Sequence, residues 1–293
     1  MAPDRTSTPL LRPGPRLTAA WLLSVVVLLL MVVQSALGLA VSGLYPEEVW
    51  AVAALRANDL VTLVVVAPAR ALALAASRRR PTSASVLVWL GLLFYGTYNY
   101  AYYAFGTAFS DAFLLHVAAF TASTAALVLL GSVLDAPEVA RGVVAGTRAR
   151  VVAVFTMLVG VALLGAWGEI SVRFALTGDL PANVMPPSAV HLVYGLDMGV
   201  LAPMFVLAGV LLWRRAPWGA VLAAAVNVSG AAYLAVLWAV GGFQADAGIP
   251  GTSWASPIGI VATLACTVAA AALLVHPHEQ GSSVPRRIRA ARA

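Results

Sequence analysis

Two aspartates carry the first chemical signal in this sequence. Asp59 and Asp197 each stand inside a long apolar run, as Asn58-Asp59-Leu60 and Leu196-Asp197-Met198. A carboxyl group in hydrocarbon is costly, so it marks a proton or substrate pathway or a specific internal partner. Other polar residues keep it company. Arg56 precedes Asp59 by three positions, a spacing that puts both on one helical face and predicts an ion pair. Further on come Tyr95, Tyr98, Asn99, Tyr100, Tyr102 and Tyr103. Positions 95, 98, 99 and 102 share a face and read as a hydrogen-bonding stripe, while Tyr102 and Tyr103 read better as an interfacial aromatic belt. His116 follows Asp111 at the start of another apolar run, and His191 and Tyr194 precede Asp197. Glu169 and Arg173, four apart, predict a second helical ion pair. Asn227 is expected to bond across helices. The candidate substrate-binding or proton-handling set is therefore Arg56, Asn58, Asp59, Tyr98, Asn99, His116, His191 and Asp197.

The same residues limit the chemistry. Cys266 is the single cysteine, which excludes an intramolecular disulfide and leaves a packed, inert thiol as the plain reading. His116 and His191 lie on different runs without paired-histidine spacing, so no metal site and no cofactor are expected. Haem or a quinone stay as alternatives. A Gly-rich phosphate loop, a G-x-S-x-G elbow and an H-E-x-x-H pair are all missing from the sequence.

The elements that must position these groups are membrane spans. Of 293 residues, 61% are hydrophobic and 10% charged, where a soluble domain carries about 25% charged residues. Eight apolar runs approach the length that crosses a bilayer: Leu17 to Leu39, Val49 to Ala76, Ser85 to Phe105, Ala112 to Leu134, Val151 to Trp167, Val190 to Trp213, Trp218 to Gly241 and Ser256 to Val275. The fold class is thus an all-α polytopic transmembrane helix bundle of about eight spans. A basic leader (1–16) precedes the membrane domain (17–276), and a basic tail (277–293) follows it. The first run also has features of a cleavable signal peptide, though its apolar stretch is longer than usual.

All 18 basic residues are arginine, and 16 of them fall in the leader, the tail and alternate loops, leaving Arg56 and Arg173 on the other side. Arg70 belongs to the first group in this count, with Arg78, Arg79 and Arg80 after the second run. This asymmetry places both termini in the cytoplasm and the chain in the plasma (inner) membrane. The arginines meet lipid headgroups rather than nucleic acid, for which no basic groove interleaved with aromatics exists.

Two segments read alike. Asp59, Pro68 and Arg78-Arg79-Arg80 parallel Asp197, Pro203 and Arg214-Arg215, with aspartate-to-proline spacings of 9 and 6 residues. The pattern suggests a parallel four-plus-four repeat, with halves at 17–134 and 151–276.

The stretches Asn58-Asp59-Leu60-Val61-Thr62-Leu63, Tyr98-Asn99-Tyr100-Ala101-Tyr102-Tyr103, and Leu196-Asp197-Met198 with Arg214-Arg215-Ala216-Pro217-Trp218-Gly219 carry a resemblance. They resemble a group of predicted bacterial polytopic membrane proteins that have no assigned function. The resemblance implies eight spans and carries no activity across. Haem A synthase shares a four-plus-four outline, but four suitably placed ligand histidines are missing here. Three function classes stay open: a small-solute transporter using Asp59 and Asp197 for protons; a membrane-embedded enzyme or lipid- or quinone-binding protein with one outer-leaflet polar pocket; and a non-catalytic subunit or assembly factor. The bilayer is the expected partner in all three, with an unidentified solute or lipid in the first two. The arginine asymmetry is testable on its own. A reporter active only in the cytoplasm, fused after Ala293, should be active, and an inactive fusion would overturn the placement of the C-terminus.

Overall fold

The computed structural model describes residues 9–143, 146–179 and 187–274, with side chains described from 192 onward in the last segment. The leader before residue 9 and the tail after 274, with His276 and His278, lie outside the described residues. Each of the eight apolar runs is helical. The helices are α1 (Pro15–Ala40), α2 (Val49–Val61) continuing into α3 (Ala67–Arg79), α4 (Ser83–Gly106), α5 (Phe113–Val133), a short α6 (Ala136–Arg141), α7 (Thr147–Thr177), α8 (Pro187–Leu196) continuing into α9 (Ala202–Trp213), α10 (Pro217–Asp246) and α11 (Pro257–Leu274). No strand is present among the described residues. An isolated bridge joins Leu11 to Leu134, flanked by bonds from Arg12 N–H to Val133 O (2.8 Å) and from Asp135 N–H to Leu10 O (3.0 Å).

Seven of the spans are long and apolar enough to cross a membrane, which makes this an integral multi-pass protein. The other, α4, has 24 residues, long enough to cross at 1.5 Å of rise per residue. Its tyrosines lower its apolarity, and it tolerates them by sitting in the middle of the bundle, where Tyr95, Tyr98, Tyr100 and Tyr103 are buried. Large apolar side chains such as Leu29, Leu72, Leu114 and Ile258 point outward, as a lipid-facing surface requires.

Helix ends follow local chemistry. Thr82 and Ser85 cap each other at the start of α4. Asp135 accepts the Glu138 N–H at the start of α6. Gly178 ends α7 in the left-handed conformation, φ 76°. Two spans depart from α geometry in the same way. Residues Thr62–Val66 and Asp197–Leu201 form π-helical turns, and each is followed by Ala-Pro (Ala67-Pro68, Ala202-Pro203). Proline has no N–H and crowds the carbonyl four residues back, so the turn before it widens. The Ala67 N–H reaches Thr62 O, and the Ala202 N–H reaches Asp197 O, each spanning five residues.

Both halves use one neighbour order. In the first, α1 packs on α2–α3 and α5, and α4 packs on α3 and α5. In the second, α7 packs on α9 and α11, and α10 packs on α9 and α11. The halves meet through α4 against α10, with α2 against α10 matched by α4 against α8. The correspondence extends to single residues. Two positions past each proline stand Arg70 and Phe205. Arg70 lies beside Gly96 of α4 and Ser123 of α5, and Phe205 lies beside Gly230 of α10 and Cys266 of α11.

Gly91 sets the distance between the two central helices. A Cβ there would stand 2.7 Å from Val228 Cβ and 2.8 Å from Ala225 O. The Gly91→Leu variant should therefore force α4 from α10 and lose about 1–3 kcal/mol. Thermal unfolding in detergent reads this as a lower midpoint; an unchanged midpoint would show that the contact is not tight.

Candidate functional site

The polar residues form two buried centres, one around each aspartate, with α4 serving both. Asp59 has no solvent exposure. Its Oδ1 accepts from Gln34 Nε2 (3.0 Å) and Tyr103 Oη (3.1 Å), and its Oδ2 from Tyr45 Oη (2.6 Å). Gln34 also donates to Tyr45 Oη (2.7 Å), and its Oε1 accepts from Tyr100 Oη (3.1 Å). Tyr45 lies in the loop before α2. Burial first, and the Asp59 carboxyl second, raise its hydroxyl well above the ordinary tyrosine value, so it acts here as a neutral donor. Gly38 lets α1 approach, because a Cβ at that position would overlap the Asp59 carboxyl and the Tyr45 hydroxyl.

Beside Asp59, Asn58 Nδ2 donates to Asn99 Oδ1 (2.7 Å), while Asn58 Oδ1 accepts from Thr62 Oγ1 (3.2 Å) and Tyr95 Oη (3.4 Å). Eleven residues beyond Asp59 in the same span is Arg70, fully buried. One Nη donates to Leu92 O, and its Nε and other Nη have no hydrogen-bond partner, as is also true of Ser123 Oγ nearby. No carboxylate pairs with it among the described residues, where the one ion pair is Arg141 with Glu138.

Asp197 is equally buried. Tyr98 Oη donates to its Oδ1, and Trp167 Nε1 (2.8 Å) and Tyr233 Oη (3.2 Å) donate to its Oδ2. The Tyr98 and Tyr233 rings meet edge to face at 5.2 Å, and Trp167 stacks on Tyr194 at 4.3 Å. Each acid thus has three donors, no cation, and acceptor capacity left over. Such a centre can hold a proton, or exchange one hydroxyl donor for a donor on a bound molecule.

Several sequence expectations change. Arg56 does not pair with Asp59; its Nη2 donates to Leu39 O (2.9 Å), because its long chain reaches the carbonyl at the end of α1 while Asp59 turns inward. Glu169 and Arg173 stay exposed and unpaired with each other. Tyr103 is not part of an interfacial belt but a buried donor to Asp59. Arg70 is not an exit arginine. The one outer-leaflet polar pocket expected of the candidate residues is divided. Asp59, Asn58 and Asn99 lie with the first half, and Tyr98 turns to Asp197. His116 is buried against the Tyr103 ring at 4.8 Å, with neither nitrogen bonded. His191 falls in α8, and its side chain lies outside the described residues. Asn227 does bond across helices, to Thr156 Oγ1 (2.9 Å).

The partners Gln34, Tyr45, Arg70, Trp167 and Tyr233 were not in the candidate set. Gln34 had a signal, being the one amide in the first apolar run. Arg70 had one too, standing eight residues ahead of Arg78 within apolar sequence. Among the described residues, no group of three or more His, Cys, Asp or Glu is placed to hold a metal. No protein-family model, curated protein or solved structure matches the chain.

Arg70 separates a structural from a functional role. A buried, unpaired charge is expensive, and apolar replacements of similar volume often stabilise by about 1–4 kcal/mol. The second half already places Phe205 at this point. Arg70→Met should therefore unfold at the native temperature or higher, and a fall equivalent to more than about 1 kcal/mol would show that the guanidinium holds the half together.

Proposed function

We propose that this integral membrane protein is a small-solute carrier of the plasma membrane, with both termini in the cytoplasm, in which Asp59 and Asp197 exchange protons as the solute moves. One observation carries the reading. In two corresponding spans, a fully buried aspartate stands close to a π-helical turn and a proline: Asp197 opens its turn, and Asp59 precedes its turn by three residues. Interrupted helices at matching places in two halves are where secondary transporters build their sites. A π turn beside a proline is also where a helix bends at low cost. The donors around each acid are mostly hydroxyls, which rotate and give up a bond readily.

A second reading, a membrane-embedded binding protein for an apolar molecule, has its own support in a cavity between α7 and α11.

The carrier reading is tested by reconstituting the protein in liposomes and recording charge movement on a solid-supported membrane. Amino acids, sugars and nucleosides are added in turn across a pH step. The native protein should give a solute-dependent proton current. Asp59→Asn and Asp197→Asn, which keep side-chain shape, should each reduce it at least tenfold in protein that is still folded after reconstitution. Undiminished currents in both variants would remove proton coupling, and silence with every solute would remove the carrier.

A further inference from the structure

Arg70 is unlike every other arginine of the chain. It lies with no solvent exposure in a membrane-spanning helix, where a charged side chain is costly and calls for a partner. A guanidinium stays charged in any protein environment and carries five N–H donors. Leu92 O takes one of them, while Nε and Nη1 have no hydrogen-bond partner. Protein groups do not balance the charge either. Among the described residues the one ion pair is Arg141 with Glu138, and the one cation over an aromatic ring is Arg78 on Trp21. Asp59, the buried carboxyl of this half, is held by Gln34, Tyr45 and Tyr103 instead.

The surroundings add donors rather than acceptors. A Cβ at Gly96 would stand 2.9 Å from Ser123 Oγ and 3.0 Å from Arg70 Nη2, so hydroxyl and guanidinium border the same point of α4. Ser123 is also fully buried, and its Oγ has no partner. One turn along α4, Asn99 Nδ2 is unbonded as well. Side chains here are small: the buried residues of α5 on either side of Ser123 are Ala119 and Ala126.

This donor set selects its ligand by charge. A neutral acceptor would satisfy the N–H groups and leave the buried charge in place. A dianion would exchange an excess positive charge for a negative one. A single negative charge answers both demands. The small neighbours limit it to an ion of a few atoms. The second half supplies the contrast, since Phe205 and Cys266 stand there in the places of Arg70 and Ser123 and require no ligand.

We propose that Arg70, with Ser123, binds a small monovalent anion, a halide or a short carboxylate, inside the first half between α3, α4 and α5. The bend in the span gives it a way in. Pro68 stands two residues before Arg70 and follows the π-helical turn Thr62–Val66, so α3 is the segment that moves off α4 at low cost. The site rests on the buried charge and its donors, independently of solute transport.

The test uses the full chain in detergent at fixed ionic strength, with sodium gluconate, too bulky for the site, replaced stepwise by sodium chloride or sodium formate. The unfolding midpoint of the native protein should rise by about 2–4 °C and saturate, as binding at one site requires. Whichever anion acts at the lower concentration identifies the site as one for halide or for carboxylate. Arg70→Met should gain nothing from either anion. Ser123→Ala, which keeps the charge, should need about tenfold more anion for half the shift, and it decides the matter if Arg70→Met does not fold. The absence of a saturable shift with both anions would overturn the proposal. An equal shift in Arg70→Met, or an unchanged half-point in Ser123→Ala, would mark a general salt effect and overturn it too.

Discussion

Hydrocarbon offers no hydrogen bonds, and this constraint decides where each helix of the bundle sits. A buried carboxyl group has to be supplied with donors from several directions at once. Asp59 draws them from α1, from the loop before α2 and from α4; Asp197 draws them from α4, α7 and α10. The two acids thereby fix the placement of four spans. They also explain α4, whose tyrosines and asparagine would be out of place anywhere but between two acid-bearing helices. Gly38 and Gly91 permit the close approaches these bonds demand.

On this shared plan the halves have taken opposite chemistries. Arg70 with Ser123 makes the interior of the first half polar, and Phe205 with Cys266 makes the same place in the second half apolar. Serine and cysteine differ by one atom there, yet the surroundings differ in kind. One interior is closed around a charge, and the other is open along a seam.

The spans were legible because lipid crossing demands long apolar runs, and the sequence has eight. The kinship of the second and sixth spans was legible from proline and arginine spacing. Sequence spacing failed where a side chain chose between partners of equal reach. Arg56 stands one helical turn from Asp59, but a free carbonyl at the end of α1 was as near, and only the packing of α1 decides between them. Tyr103 looked interfacial because it ends a tyrosine run; the packing of α4 against Asp59 is a tertiary fact. Arg70 was grouped with its neighbours Arg78 to Arg80 because a charge count ignores depth. Tyr98 and Asn99, adjacent in sequence, serve different centres since helical neighbours point about 100° apart.

The bridge between Leu11 and Leu134, with its flanking backbone bonds, joins the two ends of the first four spans. Every group that holds Asp59, Asn58 and Arg70 lies between those ends. During synthesis the first half therefore has all its own partners before the fifth span leaves the ribosome. The groups that satisfy its buried polar centre are thus all its own. The second half has no such independence: Asp197 takes one of its donors, Tyr98, from α4.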